Sequence, residues 1–75
     1  MTNMTPFTNV DEAAKYVDDF KGRPEELELA ISEELQDPIG INMALITERI
    51  LAKGWEPDGF KQENGYRIYL YKDME

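Results

Sequence analysis

The spacing of apolar residues near the start of the chain predicts a first helix over residues 10–21. Asn9 suits the cap that precedes this helix, and Glu12 three residues later completes a capping-box pattern. Lys21 and Gly22 then favour its end, as a basic last turn followed by a left-handed glycine. The residues of its buried stripe are Val10, Ala13, Ala14, Val17 and Phe20.

A second helix is predicted to begin at Pro24, because proline fits the first helical turn, where its missing N–H costs nothing. It is expected to end at Asp37, since the residue before Pro38 avoids helical angles. Glu33 and Glu34 are expected to face water. The predicted buried stripe consists of Leu27, Ala30, Ile31 and Leu35.

A third helix is predicted to start at either Pro38 or Asn42 and to run to Lys53, with Asp37 as its cap and Gly54 as its end. Its apolar residues cover more than one narrow seam, so we expect it to be the most buried of the three helices. The central stripe is Ile39, Met43, Ile46 and Ile50, and Ile41, Leu45 and Leu51 widen it.

The last third of the chain predicts a β-hairpin. Glu56-Pro57-Asp58-Gly59 has the composition of a turn, and Asn64-Gly65 is a strong hairpin signal because both residues tolerate positive φ. Residues 60–63 and 66–72 flank that signal as strands. The sequence therefore predicts one α+β domain over residues 1–75, a three-helix core followed by a C-terminal β-hairpin, with residues 1–8 as a short arm.

This order of elements is similar to that of winged-helix domains over about residues 25–72. The Gly-containing turn at residues 37–40 resembles that of a helix-turn-helix, and Lys53-Gly54-Trp55 leads from the third helix into the hairpin. The resemblance implies that the third helix enters a major groove and that the hairpin contacts phosphate. The basic residues available for that role are Arg49, Lys53, Lys61, Arg67 and Lys72.

The charge of the chain argues against that role. Sixteen acidic and eight basic residues give a net charge of −8, and residues 1–37 hold ten acids against three bases. Such an excess repels phosphate, so nucleic acid is a disfavoured partner. Three roles fit the acidic excess: it keeps a small protein soluble, it attracts a basic partner protein, or it imitates nucleic acid. The chain has no cysteine and no long apolar run, which favours the cytoplasm.

No residue pattern predicts catalysis, so we expect the protein not to be an enzyme. The chain has no histidine and no cysteine, and its one serine, Ser32, has no glycine-framed elbow around it. Acidic neighbours such as Asp18 and Asp19 would point about 100° apart on a helix and would not share one metal ion. The sequence shows no metal site and no cofactor site.

The predicted hairpin carries the most suggestive surface. A two-residue turn at Asn64-Gly65 places Ile68 and Leu70 on one face, which suits packing on the helices. Phe60, Tyr69 and Tyr71 then form an aromatic strip on the other face, beside Arg67. Two alternatives stay open at this point: Phe7 and the arm cover the strip, or a bulge at Gly59 redirects it. Trp55 is expected in the core.

These observations predict a non-catalytic protein–protein interaction module, acting through Phe60, Arg67, Tyr69 and Tyr71 or through the acidic half of the chain. Aromatic residues and arginine favour interfaces. An exposed strand edge also permits a homodimer through the hairpin as well as a monomer. A DNA-associated winged helix and an acidic nucleic-acid mimic are the alternatives. The acidic candidates are Glu25, Glu26, Glu28, Glu33 and Glu34.

Overall fold

The computed structural model describes residues 5–37 and 39–74. It contains two α-helices and one three-stranded antiparallel sheet, so the chain is α+β but has no three-helix core. Pro38, one of the two predicted starts of the third helix, lies outside the described residues. The elements are α1 (Val10–Asp19), β1 (Glu28–Ser32), α2 (Ile41–Ala52), β2 (Trp55–Glu63) and β3 (Tyr66–Asp73), with 3₁₀ turns at Pro24–Glu26 and Glu33–Leu35.

The strands lie in the order β1-β3-β2, and β3 pairs with both neighbours in antiparallel fashion. The N-terminal arm extends this sheet beyond β1. The N–H of Phe7 donates to the carbonyl of Ala30 at 2.8 Å, and the N–H of Ser32 donates to the carbonyl of Phe7 at 2.9 Å. Phe7 thus covers the outer edge of β1, and its ring lies 5.4 Å from that of Tyr16 on α1.

The predicted second helix is wrong, because the segment that it covers forms a 3₁₀ turn, then β1, then another 3₁₀ turn. Leu27, Leu29 and Ile31 alternate with less apolar residues and are fully buried on one face, which is the strand period. An isolated hairpin is only marginally stable, so a third strand beside β3 outweighs the helix propensity of this segment. The residues predicted to be buried there are buried, namely Leu27, Ala30, Ile31 and Leu35.

This strand also removes the basis of the winged-helix resemblance. A helix-turn-helix needs a helix before the turn, and here β1 and the 3₁₀ turn Glu33–Leu35 precede α2. The strand pairs with β3 along its whole length, from Glu28 opposite Leu70 to Ser32 opposite Tyr66. The likeness that remains is only a helix followed by a hairpin, which many folds share.

The first helix, α1, begins as the sequence predicts. The side-chain oxygen of Asn9 accepts from the N–H groups of Asp11 and Glu12 at 2.9 and 3.1 Å, which caps α1. The helix ends at Asp19, two residues before the predicted end, because the chain turns extended at Phe20. The predicted left-handed cap at Gly22 is wrong, since its φ is not positive.

The other helix, α2, begins at Ile41, one residue before the predicted start at Asn42, and ends at Ala52, one residue before the predicted end at Lys53. The carboxylate of Asp37 accepts from the N–H groups of Ile41 and Asn42, at 3.0 and 3.2 Å. Gly54, with a φ of 81°, ends α2. A left-handed glycine, Gly40 with a φ of 77°, precedes its first residue. These contacts fix α2 between the end of β1 and the start of β2.

The core lies between the two helices and one face of the sheet. The predicted burial of Trp55 is confirmed, since the side chain is 9% exposed. The core cluster comprises Ala13, Val17, Leu27, Leu29, Ile31, Leu35, Ile46, Ile50, Trp55 and Tyr71. Both helices and the sheet contribute to this cluster.

No helix among the described residues is long and apolar enough to cross a membrane.

The pairing of the hairpin is confirmed from Glu63 opposite Tyr66 to Gly59 opposite Leu70. An irregularity between Pro57 and Gly59 then shifts the register, as one alternative anticipated. The predicted turn at residues 56–59 is wrong, because these residues lie within β2. The predicted faces are reversed, however. Tyr71 is 3% exposed within the core cluster, whereas Ile68, although it is only 8% exposed, lies with Leu70 on the opposite face of the sheet. The reason is β1, which sets the fully buried Leu29 opposite Tyr69 on the face that the helices cover.

Candidate interaction surfaces

The side of α2 that points away from the core is apolar. Ile41, Leu45 and Leu51 are 56%, 45% and 48% exposed, and Ile39 just before the helix is 81% exposed. We call these four residues the outer apolar face. The expectation that this helix is the most buried is therefore wrong for Ile39 of the predicted central stripe and for the three residues that widen it. Only Ile46 and Ile50 of α2 are fully buried.

A signal for this face was present in the sequence. Seven large apolar residues between positions 39 and 51 point in nearly every direction around a helix of 3.6 residues per turn. A helix that is apolar all round needs neighbours on all sides. A chain of 75 residues offers too few layers to surround it. Some of these residues had to remain exposed, although the sequence did not indicate which.

The charges around the outer apolar face are of both signs, but its cations already have contacts within the chain. Glu48 falls between Leu45 and Leu51 on the helical wheel, and no cation lies within salt-bridge distance of it among residues 5–37 and 39–74. Arg49 lies 3.5 Å from Asp18 of α1, so an acid already accompanies this cation. The cationic end of Lys53 donates to the carbonyl of Phe20 and lies over the Trp55 ring.

The aromatic strip of the hairpin is only partly available to a partner. Phe60 is 51% exposed, and its ring centroid lies 5.6 Å from that of the half-buried Tyr69. The guanidinium of Arg67 covers the Phe60 ring at 4.7 Å. Tyr71 belongs to the core instead. Phe60 therefore presents an exposed ring, but the four predicted residues do not form one exposed surface.

Polar contacts tie this strip to the segment that follows β1. The Nε of Arg67 donates to Oε1 of Gln62 at 2.9 Å, and Nε2 of Gln62 reaches Oε1 of Glu33 at 3.2 Å. The hydroxyl of Tyr69 donates to Oε1 of Gln36 at 2.7 Å. These side chains form their hydrogen bonds within the chain, and the bonds connect the hairpin to the segment that follows β1.

The five acidic candidates lie at both ends of β1. Glu25 and Glu26 precede the strand and contact Arg23, through a salt bridge of 3.4 Å and a hydrogen bond of 2.7 Å to its N–H. Glu33 and Glu34 follow the strand in the second 3₁₀ turn. Glu28 lies in β1 itself. The strand therefore separates two small acidic groups and does not gather the five residues on one face.

The basic candidates for nucleic-acid binding are also dispersed. Lys72 lies 3.7 Å from both Glu56 and Asp58, and Arg67 is occupied by Phe60 and Gln62. The side chain of Lys61 lies on the face of the sheet opposite Arg67, because Lys61 pairs with Ile68. Arg49 and Lys53 are engaged as described above. No dense basic patch arises from these five residues.

The described residues offer no arrangement with obvious chemistry. No three acidic side chains among residues 5–37 and 39–74 could hold a metal ion. Ser32 ends β1 rather than lying in a helix, and its hydroxyl accepts from the N–H of Glu34 at 3.4 Å. A shallow cavity of about 180 Å³ is lined by Thr5, Phe7, Tyr16, Glu28 and Ala30. It brings together no pair of groups suited to acid–base work.

Comparison of the chain with models of protein families, with curated proteins and with solved structures finds no match. Among residues 5–37 and 39–74, four of the seven exposed large apolar side chains belong to the outer apolar face.

Proposed function

We propose that this protein is a non-catalytic protein-interaction module that docks a partner on the outer apolar face of α2. The observation that carries the proposal is the exposure of Ile41, Leu45 and Leu51 on a helix whose opposite side forms the core. Scattered exposed apolar residues are ordinary, but several on one helix face indicate a site of interaction.

The energetics of the fold support this choice of surface. A domain of this size has only a few kcal/mol of net stability, so core positions take up most of its large apolar residues. Three large apolar residues on α2 bring no such benefit, because about half of each remains in water. Burial against a partner would remove that surface from water and give a favourable contribution to binding.

The supporting helix is firmly held. Asp37 binds the first N–H groups of α2, and Gly54 leads it directly into β2. Ile46 and Ile50 anchor its inner side in the core. A face carried by such a helix is preorganised, which lowers the entropic cost of docking.

Site-directed photo-crosslinking in cells that express the protein tests this proposal. A photoreactive residue at position 45 is expected to capture one discrete partner, and Ile41→Ser in the same chain is expected to abolish the capture. Position 61 is the matched control, since Lys61 is exposed on the opposite face of the sheet. Equal products from positions 45 and 61, or none from position 45, would overturn the proposal.

A further inference from the structure

We propose that the occupant of the outer apolar face is a basic amphipathic helix of another protein. This inference rests on the proposed function and adds the chemistry of the partner. The exposed residues Ile41, Leu45 and Leu51 lie along the three turns of α2, which is about 18 Å long. An apolar helix face of that length is typically met by a second helix with anchors at i, i+3 or i+4, and i+7.

The charge on the partner follows from Glu48. Its carboxylate lies between Leu45 and Leu51 on the helical wheel, with no described cation within salt-bridge distance. A partner that covers these leucines reduces the contact of the carboxylate with water. Removing a charge from water is costly unless an opposite charge replaces it. A lysine or arginine beside the apolar anchors of the partner supplies that charge.

The surroundings reinforce this sign. Asp37 adds an acidic charge at the N-terminus of α2, just before Ile39 and Ile41, and on the α1 side Asp18 offsets the charge of Arg49 at 3.5 Å. The whole chain carries a net charge of −8, which attracts a basic partner from a distance and raises its rate of association. Local and overall charge therefore select the same class of partner.

A second copy of the chain fits this face less well. In a symmetric antiparallel pairing of two α2 helices centred on this face, each Glu48 would approach the apolar face and the Glu48 of its copy. Two chains of net charge −8 would also repel one another. We therefore expect the isolated protein to sediment as a monomer.

Two synthetic helical peptides with the same leucine pattern test the inference. Their polar positions are all lysine in one peptide and all glutamate in the other, and their affinities are measured by calorimetry at low and high salt. We expect the lysine peptide to bind at least about tenfold more tightly, with a preference that shrinks as salt screens the charges. Glu48→Lys is expected to remove most of this preference.

Glu63→Lys is the matched control, because it makes the same change of charge on the face of the sheet that the helices do not cover. It should preserve most of the preference. Leu45→Ser should weaken the binding of both peptides. A preference that Glu63→Lys removes as fully as Glu48→Lys would show attraction by overall charge and would overturn the inference.

The outcomes separate this inference from the proposed function. Equal binding of both peptides that is lost in Leu45→Ser would overturn the basic partner and leave the docking face in place. Binding of neither peptide, or binding that Leu45→Ser does not change, would overturn both. Sedimentation as a dimer that Leu45→Ser dissociates would identify a second copy as the occupant and would also overturn the inference.

Discussion

The hydroxyl of Tyr69 donates a hydrogen bond of 2.7 Å to Oε1 of Gln36, across 33 positions of the sequence. It joins the middle of β3 to the residue that follows the second 3₁₀ turn. The other end of the Gln36 amide, Nε2, is buried without a hydrogen-bond partner among the described residues. Loss of the Tyr69 bond would therefore leave a largely buried amide with no polar contact from its side chain to the sheet.

Tyr69→Phe is expected to lower the free energy of unfolding by about 0.5–1.5 kcal/mol, with a somewhat larger loss if Gln36 stays buried and unpaired. Urea denaturation gives the value. Gln36→Leu serves as the second side of a double-mutant cycle, because leucine removes the buried amide. The double variant is expected to lose less than the sum of the two single losses. Strict additivity would contradict an interaction between these side chains.

The segment from Pro24 to Leu35 shows where reasoning from the sequence fails and why. Leu27, Ala30 and Ile31 fit a helical stripe, whereas Leu27, Leu29 and Ile31 fit a strand. The two patterns share residues, so periodicity alone does not separate them. The deciding factor is β3, which lies about 40 positions later and needs a partner on its second edge. Burial was thus predictable here, whereas backbone conformation was not.

The hairpin shows the complementary case. Asn64-Gly65 determines the pairing from local chemistry, so the register up to Gly59 opposite Leu70 was predictable. Which face is buried depends on β1 and on the helices, and no local signal carries that information. Exposure at the candidate site was not predictable from local sequence either. Leu45 and Ile46 are both apolar neighbours in α2, and only the packed fold separates the exposed residue from the buried one.

Substitutions at Leu45 and Ile46 test directly which of the two side chains is buried. Ile46→Ala is expected to lower the free energy of unfolding by about 2–5 kcal/mol, because it opens a cavity in the core. Leu45→Ala is expected to change it by no more than about 0.5 kcal/mol, since the side chain is half exposed. Chemical denaturation of both variants provides the comparison. Similar losses at both positions would mean that α2 is rotated relative to the core.

Asp37 links stability to acid pH. The hydrogen bond from the N–H of Ile41 is the main cause that holds the pKa of this carboxyl below its ordinary value of 3.8. Desolvation opposes this effect, and the hydrogen bond from the N–H of Asn42 adds to it. A carboxyl with a lower pKa in the folded state stabilises the fold above its unfolded pKa. That contribution is lost as the pH falls below about 3.8 towards the folded value.

Asp37→Asn keeps a side-chain acceptor but removes the charge near the N-terminus of α2. We expect a lower urea midpoint than for the wild-type protein at pH 7 and a difference that shrinks as the pH falls below about 3.8. Urea titrations monitored by circular dichroism at pH 7, 5 and 3 measure this trend. A difference that stays constant over this range would show that the carboxylate charge plays no part.

Tyr71 makes the stability of the fold depend on alkaline pH, and its contribution decreases as the pH rises. Burial raises the pKa of its phenol well above the ordinary value of 10.0, and the nearby Tyr69 adds to this increase. The fold therefore favours the neutral phenol, whereas the unfolded chain ionises near pH 10. The resulting stability is complete below that pH and is lost as the pH rises through and above it.

Tyr71→Phe removes the ionisable group from the core, so its stability should fall less steeply than that of the wild-type protein between pH 9 and about pH 11. Urea midpoints measured across this range give the two slopes. Tyr16→Phe is the control for loss of a tyrosine hydroxyl, because its ring is 44% exposed and lies outside the core cluster. If Tyr71→Phe follows the wild-type slope, then the Tyr71 hydroxyl reaches water, and the face of the hairpin that carries Tyr71 does not pack on the helices.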